Sequence, residues 1–253
     1  MFGGLVYTPE LIEGALPWLS GAYSAHPDLA SSIDIMGIHS YMQYPPRRAP
    51  EDGIPKDLSL VAKIGTHGCM LAAHGGAAKP IWITEIGWPT FPPIDEPAQA
   101  RYTVRATVLA AQAGAEGIFW YTLRDGAHPE AYPPEDAFGL LHNDQDPAKG
   151  KEATPKPAYT ALRVLLTTVG ERWATNDDAG VSGLPADGHA VIFRGTGLPP
   201  VIAVWTEKTT GATVSYAAGA VGVLDQGGAS MTTTATGSAI AIGVDVTYLL
   251  LPP

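Results

Sequence analysis

Short apolar runs alternate with longer stretches of helical periodicity over the first two thirds of the chain, and this alternation restricts the fold more than any other feature. The apolar runs lie at residues 2–7, 33–38, 80–84 and 117–121. In the stretches between them, of which 98–113 is the clearest, apolar residues recur three or four positions apart. Repeated strand–helix units of this kind build a parallel sheet. We therefore predict an α/β fold with about four strand–helix units over residues 1–170.

The pattern changes after Gly170 to short alternating runs separated by Gly, Pro and Asp. Such runs are typical of antiparallel strands joined by turns. We predict strands at 189–194, 201–205, 212–216, 220–224, 239–242 and 246–251. The sequence therefore predicts two domains, a strand–helix domain at 1–170 and a small antiparallel β-sandwich at 171–253.

The chain has a formal net charge of −10 and no cluster of basic residues beyond Arg47 and Arg48. A polyanionic partner such as nucleic acid is therefore not expected, whereas a neutral substrate is compatible with this charge. Cys69 is the single cysteine, so no internal disulfide is expected. No Cys or His spacing matches a structural zinc site. We expect no metal and no cofactor.

No apolar stretch approaches the ~20 residues that a membrane span requires. Residues 1–30 also lack the basic start and apolar centre of a signal peptide. We expect no contact with a membrane. The sequence leaves the compartment open, and an extracellular location is the expectation for a longer precursor that carries a signal.

Polar and aromatic residues gather where three of the four predicted strands end. The second strand is followed by His39 and Tyr41, the third by Glu85 and Trp88, and the fourth ends at Trp120. In parallel barrels the reacting groups lie at these carboxyl ends. One carboxylate beside hydrogen-bonding rings and flat aromatic faces is what a sugar site requires. We therefore predict a carbohydrate site here, with Glu85 as its catalytic residue.

The segment Trp-Ile-Thr-Glu-Ile-Gly-Trp at 82–88 resembles the seventh strand of the clan A glycoside hydrolases, which are retaining β-glycosidases with a (β/α)8 TIM barrel. Residues 35–41 look like the sixth strand of that family and 118–121 like the eighth. Residues 138–141 and 156–159 are similar to the run that closes many such barrels before a β-sandwich. The resemblance covers nearly all of the chain and implies the C-terminal half of the barrel, units five to eight.

The resemblance also implies roles for individual residues. Glu85 matches the nucleophile, Tyr41 the tyrosine that hydrogen-bonds it, and His39 a residue lining the sugar site. Trp120 is expected to be a platform for a sugar ring. Trp88 is equally compatible with substrate contact and with pinning its own loop.

The chain departs from the family in one respect, since the general acid/base of the clan is a Glu in an Asn-Glu-Pro type motif on the fourth strand. Asn occurs only at Asn143 and Asn176, and neither is followed by Glu. Retaining hydrolysis needs two carboxyl groups about 5–5.5 Å apart. The expectation is a glycoside hydrolase fragment that is inactive alone. Its substrate would be an oligosaccharide or glycoside, and its partner an N-terminal half-barrel chain or a second copy.

Two other functions stay open. The chain is alternatively a non-catalytic carbohydrate-binding or interaction module derived from such an enzyme, or a truncation whose open sheet edges cause self-association. Individual residues also have structural interpretations. Glu85 would then cap or pair locally, His39 and Tyr41 would belong to the core, and Arg124 with Asp125 would form an internal ion pair instead of holding substrate. The sugar, the linkage and exo or endo action are not predicted.

Overall fold

The computed structural model describes residues 2–6, 12–42, 47–53, 58–127, 134–145, 148, 150–216, 220–231 and 239–253, with side chains described from residue 19 onward. The chain divides into two compact units. The first comprises Met1–Asp95 and Leu109–Thr154, and the second comprises Glu96–Val108 and Pro155–Pro253. The domain boundary proposed at residue 170 stays a prediction.

The first unit is built on a parallel sheet of four strands in the order β1-β2-β3-β4. The strands are β1 (Phe2–Val6), β2 (Met36–His39), β3 (Ile81–Ile86) and β4 (Ala115–Trp120). Helix α1 (Ile12–Ala25) and a 3₁₀ turn (Leu29–Ser32) lie between β1 and β2, α2 (Leu60–Ala73) lies between β2 and β3, and α3 (Glu96–Gln112) precedes β4. The predicted mixed α/β class is confirmed.

Helix α3 shows how the apolar pattern produces the packing. Val104, Val108 and Leu109, which the spacing predicts on one face, are all buried. Gly114 follows the helix with a positive φ of 85°, a conformation that glycine adopts without steric cost. The predicted helix at 98–113 is therefore observed, with its start two residues earlier than expected.

Several strand boundaries differ from the prediction, and β4 for example begins at Ala115 where residue 117 was expected. The strand expected at 33–38 begins only at Met36, because the 3₁₀ turn precedes it and Ile33 is buried without joining the sheet. The strand expected at 80–84 continues to Ile86, so Glu85 lies inside the strand. An apolar run predicts which residues are buried, and buried residues such as Ile33 can lie outside the hydrogen-bonded part of the strand. A helix cap expected at Thr8 lies outside the described residues.

The second unit contains Glu96–Val108 of α3, helix α4 (Pro157–Val169) and two antiparallel sheets. The larger sheet has the order β10-β12-β8-β7-β5 and the smaller one the order β11-β9-β6. The strands are β5 (Trp173–Ala174), β6 (Val181–Ser182), β7 (Gly188–Gly195), β8 (Leu198–Thr206), β9 (Ala212–Tyr216), β10 (Gly222–Leu224), β11 (Ile240–Ile242) and β12 (Thr247–Leu250). Strands β5 and β6 were not predicted, since two residues carry no detectable periodicity.

One apolar core lies within the second unit. Ile192, Ile202 and Leu249 of the larger sheet belong to the same buried cluster as Val214 and Ile240 of the smaller sheet. Both sheets therefore contribute side chains to this core. Among the described residues, no helix has the length and apolar character needed to cross a membrane.

Candidate active site

Strand β3 carries one more residue than either neighbouring strand at the position of Glu85. On one side the pairing runs from Ile38 with Ile83 directly to His39 with Glu85. On the other side, Ile83 to Ile86 spans three steps while the paired residues of β4 span two. An extra residue of this kind bends a strand and redirects its side chains. Glu85 is thus placed opposite His39 at the carboxyl end of the sheet.

The Glu85 carboxylate lies between two rings supplied by the end of β2. Tyr41 donates its hydroxyl to Oε1, and Nδ1 of His39 lies 3.6 Å from Oε2. About a third of the Glu85 side chain is exposed, as is a fifth of His39. One carboxylate oxygen is therefore held by a strong donor while the group stays accessible. The structure brings together three of the predicted site residues.

Tyr41 is only 4% exposed. Burial raises the pKa of its phenol well above the ordinary value near 10, and the neighbouring Glu85 carboxylate raises it further. The phenol therefore stays protonated and acts as a donor at neutral pH. Its ring packs edge-on against Phe138, with ring centres 6.1 Å apart.

Lys63 of α2 supports the other end of Tyr41. Its ammonium donates to the Tyr41 carbonyl, and the side chain is fully buried. The helix from which Lys63 reaches this carbonyl is fixed at its start by the Ser59 cap and by the buried Leu60 and Ile64. Sequence reasoning missed Lys63, because a lysine inside an amphipathic helix normally points to solvent.

The chain after β3 passes very close to the end of β4. A Cβ on Gly87 would lie 2.0 Å from the carbonyl oxygen of Tyr121, so this position requires glycine. Two backbone bonds join the strand ends, from Ser40 N–H to the Glu85 carbonyl at 3.2 Å and from Tyr121 N–H to the Ile86 carbonyl at 2.8 Å. The backbone around Glu85 is therefore fixed from both neighbouring strands.

The two predicted aromatic contacts differ in exposure. Trp120 is half-buried, and its ring centre lies 6.3 Å from that of Trp88. Trp88 is only 1% exposed, and its indole N–H donates to the Arg48 carbonyl at 2.7 Å. These contacts favour the interpretation in which Trp88 holds its loop. Its substrate-binding role stays a prediction, as does that of Trp120.

The segment following β4 is joined to the site through backbone and aromatic contacts. Oδ1 of the buried Asp125 accepts the Gly139 N–H at 2.8 Å, a role that neither sequence interpretation of Asp125 included. The preceding residue, Phe138, packs against Tyr41 and also against Tyr121, at 5.2 Å between ring centres in the second pair. Phe138 belongs to the run at 138–141 that resembles the family, but no sequence feature predicts its contact with Tyr41.

Two further histidines of the first unit make structural contacts. His67 is buried with Nδ1 2.8 Å from the Lys63 carbonyl, and burial lowers its pKa. His74 stacks on Tyr23 with ring centres 4.2 Å apart. Glu116 and Glu135 are exposed. In the part of the chain that the structure describes, no group of three or more His, Cys, Asp or Glu residues is arranged to hold a metal ion.

No family model matches the sequence, and no curated protein matches it. Solved structures do match. A family 39 glycoside hydrolase from the gut symbiont Bacteroides cellulosilyticus WH2 is similar with a TM-score of 0.69 at 22% identity, over 94% of this chain and 48% of that one. A GH51 arabinofuranosidase from Xanthomonas axonopodis pv. citri has a TM-score of 0.54 at 10% identity, over 93% and 56%. A monomeric β-xylosidase from Caulobacter crescentus CB15 has a TM-score of 0.53 at 12% identity, over 93% and 59%.

These likenesses concern the fold, because all three identities are low. The chain spans about half the length of the solved structures that it matches. The resemblance to glycoside hydrolases that the sequence predicts is thereby confirmed as a likeness of fold over nearly the whole of this chain.

Proposed function

We propose that the chain forms the nucleophile-bearing part of a retaining glycoside hydrolase, with Glu85 as the nucleophile. The observation that carries this proposal is the partly exposed Glu85 carboxylate at the end of a parallel strand, bonded to Tyr41 and flanked by His39. A carboxylate held in this way is oriented for attack before substrate arrives, which is how positioning lowers a reaction barrier.

In the proposed reaction an oxygen of Glu85 attacks the anomeric carbon while the bond to the leaving oxygen breaks. The leaving oxygen takes a proton from a second carboxyl group, and water then hydrolyses the resulting glycosyl ester. Oε2 is the better placed attacking atom, since Oε1 already accepts the Tyr41 hydrogen bond. His39 and Trp120 would contact the sugar, and Trp88 would support the ring of Trp120.

The second carboxyl group would come from residues outside this chain. We propose that β1 to β4 are units five to eight of a (β/α)8 barrel, followed by a C-terminal β-sandwich. The open four-stranded parallel sheet and the match to about half of longer enzymes support this arrangement. An N-terminal half-barrel would pair with β1 and β4 and bring the acid/base. Self-association through the same edges is the competing possibility, and light scattering with and without such a half-barrel distinguishes them.

The nucleophile can be tested separately from the missing acid. A 2,4-dinitrophenyl 2-deoxy-2-fluoro glycoside has a leaving group that departs without protonation, so only the nucleophile is required to form a stable adduct. The purified chain would be incubated with the glucosyl and xylosyl reagents and then digested for mass spectrometry. We expect an adduct on the peptide that contains Glu85, absent from Glu85→Gln and present in the control Glu116→Gln. An adduct in Glu85→Gln, or none in the wild-type chain, would reject the proposal.

A non-catalytic carbohydrate-binding module is the second candidate, favoured by the lack of an Asn-Glu-Pro type motif in this sequence. In that case sugar binding at the site would be lost in Trp120→Ala and unchanged in Glu85→Gln. Calorimetric titration with cellohexaose and xylohexaose separates the two candidates, since the nucleophile also contributes to binding in the enzyme.

A further inference from the structure

Trp173 is an exposed tryptophan in the second unit and takes no part in the Glu85 site. It lies in β5, the edge strand of the five-stranded sheet, and is 54% exposed. Among the described residues, its indole has no ring contact and no hydrogen bond. Tryptophan side chains usually bury most of their surface and pair their N–H. An indole displayed in this way therefore has a face available for another molecule.

A charged pair lies beside this indole on the same face of the sheet. Trp173 is directly opposite Arg194 in the antiparallel register of β5 and β7, and opposed residues project to the same side. Nε of Arg194 donates to Oδ2 of Asp177 at 3.0 Å, and the Thr175 hydroxyl donates to the same oxygen at 3.0 Å. Both charged side chains are about half exposed. Asp177 is thus fixed by two donors while it remains at the surface.

The remaining polar atoms of this pair are left for another molecule. No described residue bonds to the two Nη groups of Arg194 or to Oδ1 of Asp177. The pair therefore presents fixed donors and one fixed acceptor next to an open aromatic face. Adjacent sugar hydroxyls need this combination of a donor and an acceptor, and the C–H face of a pyranose needs a flat ring.

We propose that Trp173, Arg194 and Asp177 form a second carbohydrate-binding site, which takes a neutral oligosaccharide and is separate from Glu85. Trp173 stacks on one sugar ring, while Arg194 and Asp177 bond its hydroxyls. The chemistry favours a neutral sugar, because the two charges of the pair cancel. This site rests on residues of the second unit alone, so its existence does not depend on the proposed hydrolysis.

The experiment measures binding of cellohexaose and xylohexaose to the full chain by calorimetric titration. The background is Glu85→Gln combined with Trp120→Ala, so that the first site contributes nothing. We expect binding in this background, weakened about tenfold or more by Trp173→Ala and also weakened by Arg194→Gln. Leu166→Ala is the matched control, since Leu166 is a similarly exposed apolar residue of the same unit, and it should leave affinity unchanged.

Three results of these measurements would bear on the second site. Lack of binding in the background variant, or binding that Trp173→Ala leaves intact, overturns the second site and leaves the Glu85 proposal untouched. A Trp173→Ala change in oligomeric state without any change in sugar affinity would instead identify β5 as an edge for protein association, and would also overturn it. Trp173 is exposed, so Trp173→Ala should keep the thermal midpoint of the parent and a failure to fold is not expected.

Discussion

Tyr41 donates its hydroxyl to the Glu85 carboxylate, and these two residues belong to the ends of neighbouring parallel strands. The same tyrosine accepts the Lys63 ammonium at its carbonyl. A continuous series of contacts therefore runs from the interior of α2 to the candidate nucleophile. Its members are separated by 22 and 44 positions in the chain, so the arrangement depends on the fold.

Tyr41→Phe removes the donor to Glu85 while it keeps the ring that packs against Phe138. We expect adduct formation on Glu85 to slow by about tenfold to a hundredfold, because a hydrogen bond to a charged group contributes about 1.5–3 kcal/mol. The rate is measured by mass spectrometry with the fluoro glycosides. Tyr121→Phe is the control, since its ring packs against the same phenylalanine and it should keep the parent rate.

The raised pKa of Tyr41 predicts loss of stability at alkaline pH. Its pKa in the folded chain lies above the unfolded value near 10, so the stabilising effect is complete below pH 10 and is lost as pH rises toward the folded value. The free energy of unfolding should fall by about 1.4 kcal/mol more per pH unit above pH 10 in the wild type than in Tyr41→Phe. Urea unfolding from about pH 9 to about pH 11 measures this difference.

Burial also raises the pKa values of Tyr248 and Tyr23. Some alkaline destabilisation should therefore remain in Tyr41→Phe. Parallel stability curves for the two proteins above pH 10 would contradict the assigned shift.

Lys63→Met removes the buried donor to the Tyr41 carbonyl but keeps a side chain of similar length. Loss of a charged donor to a buried carbonyl costs about 1–3 kcal/mol, so we expect the free energy of unfolding to fall by that amount. Because Tyr41 also loses its support, labelling of Glu85 should slow. Lys151→Met is the control, since Lys151 forms an exposed ion pair and should change stability by less than about 1 kcal/mol.

Gly87→Ala places a Cβ 2.0 Å from the Tyr121 carbonyl, so the two strand ends must move apart. We expect loss of adduct formation on Glu85 together with a fall in the thermal midpoint. Gly65→Ala is the matched control within α2, where an added Cβ meets nothing within 4 Å. It should raise the free energy of unfolding by about 0.5–1 kcal/mol, because alanine favours a helix over glycine. Equal effects of the two substitutions would contradict the close approach.

Arg105→Met tests a buried cation of the second unit. Its guanidinium donates to the carbonyls of Thr206 and Val244, and the residue is 1% exposed. Leaving both carbonyls without this donor should lower the free energy of unfolding by about 2–5 kcal/mol. Arg101→Gln breaks a partly exposed contact with Asp245 and should cost less than about 1 kcal/mol. Urea unfolding compares the two variants.

Much of the fold could be predicted from the sequence, because burial leaves a local pattern. Four apolar runs and the spacing of Val104, Val108 and Leu109 identify strands and a helix without knowledge of their partners. The sequence could identify Glu85, His39 and Tyr41 because the reacting groups of parallel barrels lie at the carboxyl ends of strands. The predicted proximity of Tyr41 and Glu85 is observed in the hydrogen bond between them.

The supporting residues left no such pattern. Lys63 is chemically like any surface lysine, and only the position of the Tyr41 carbonyl explains its burial. The extra residue of β3 could not be predicted either, since a register is a relation between two strands and neither strand encodes it alone. The contact between Phe138 and Tyr41 could not be predicted for the same reason, since the two residues lie nearly a hundred positions apart in the chain.

The irregularity in β3 makes residue number as important as residue type at this point. Deleting Thr84 would bring Glu85 directly after Ile83 and would allow an unbroken ladder with β2 at this point. Glu85 would stay opposite His39 in that ladder, but the bend that aims its carboxylate between the two rings would be lost. A more regular strand would therefore hold the same carboxylate less well for attack.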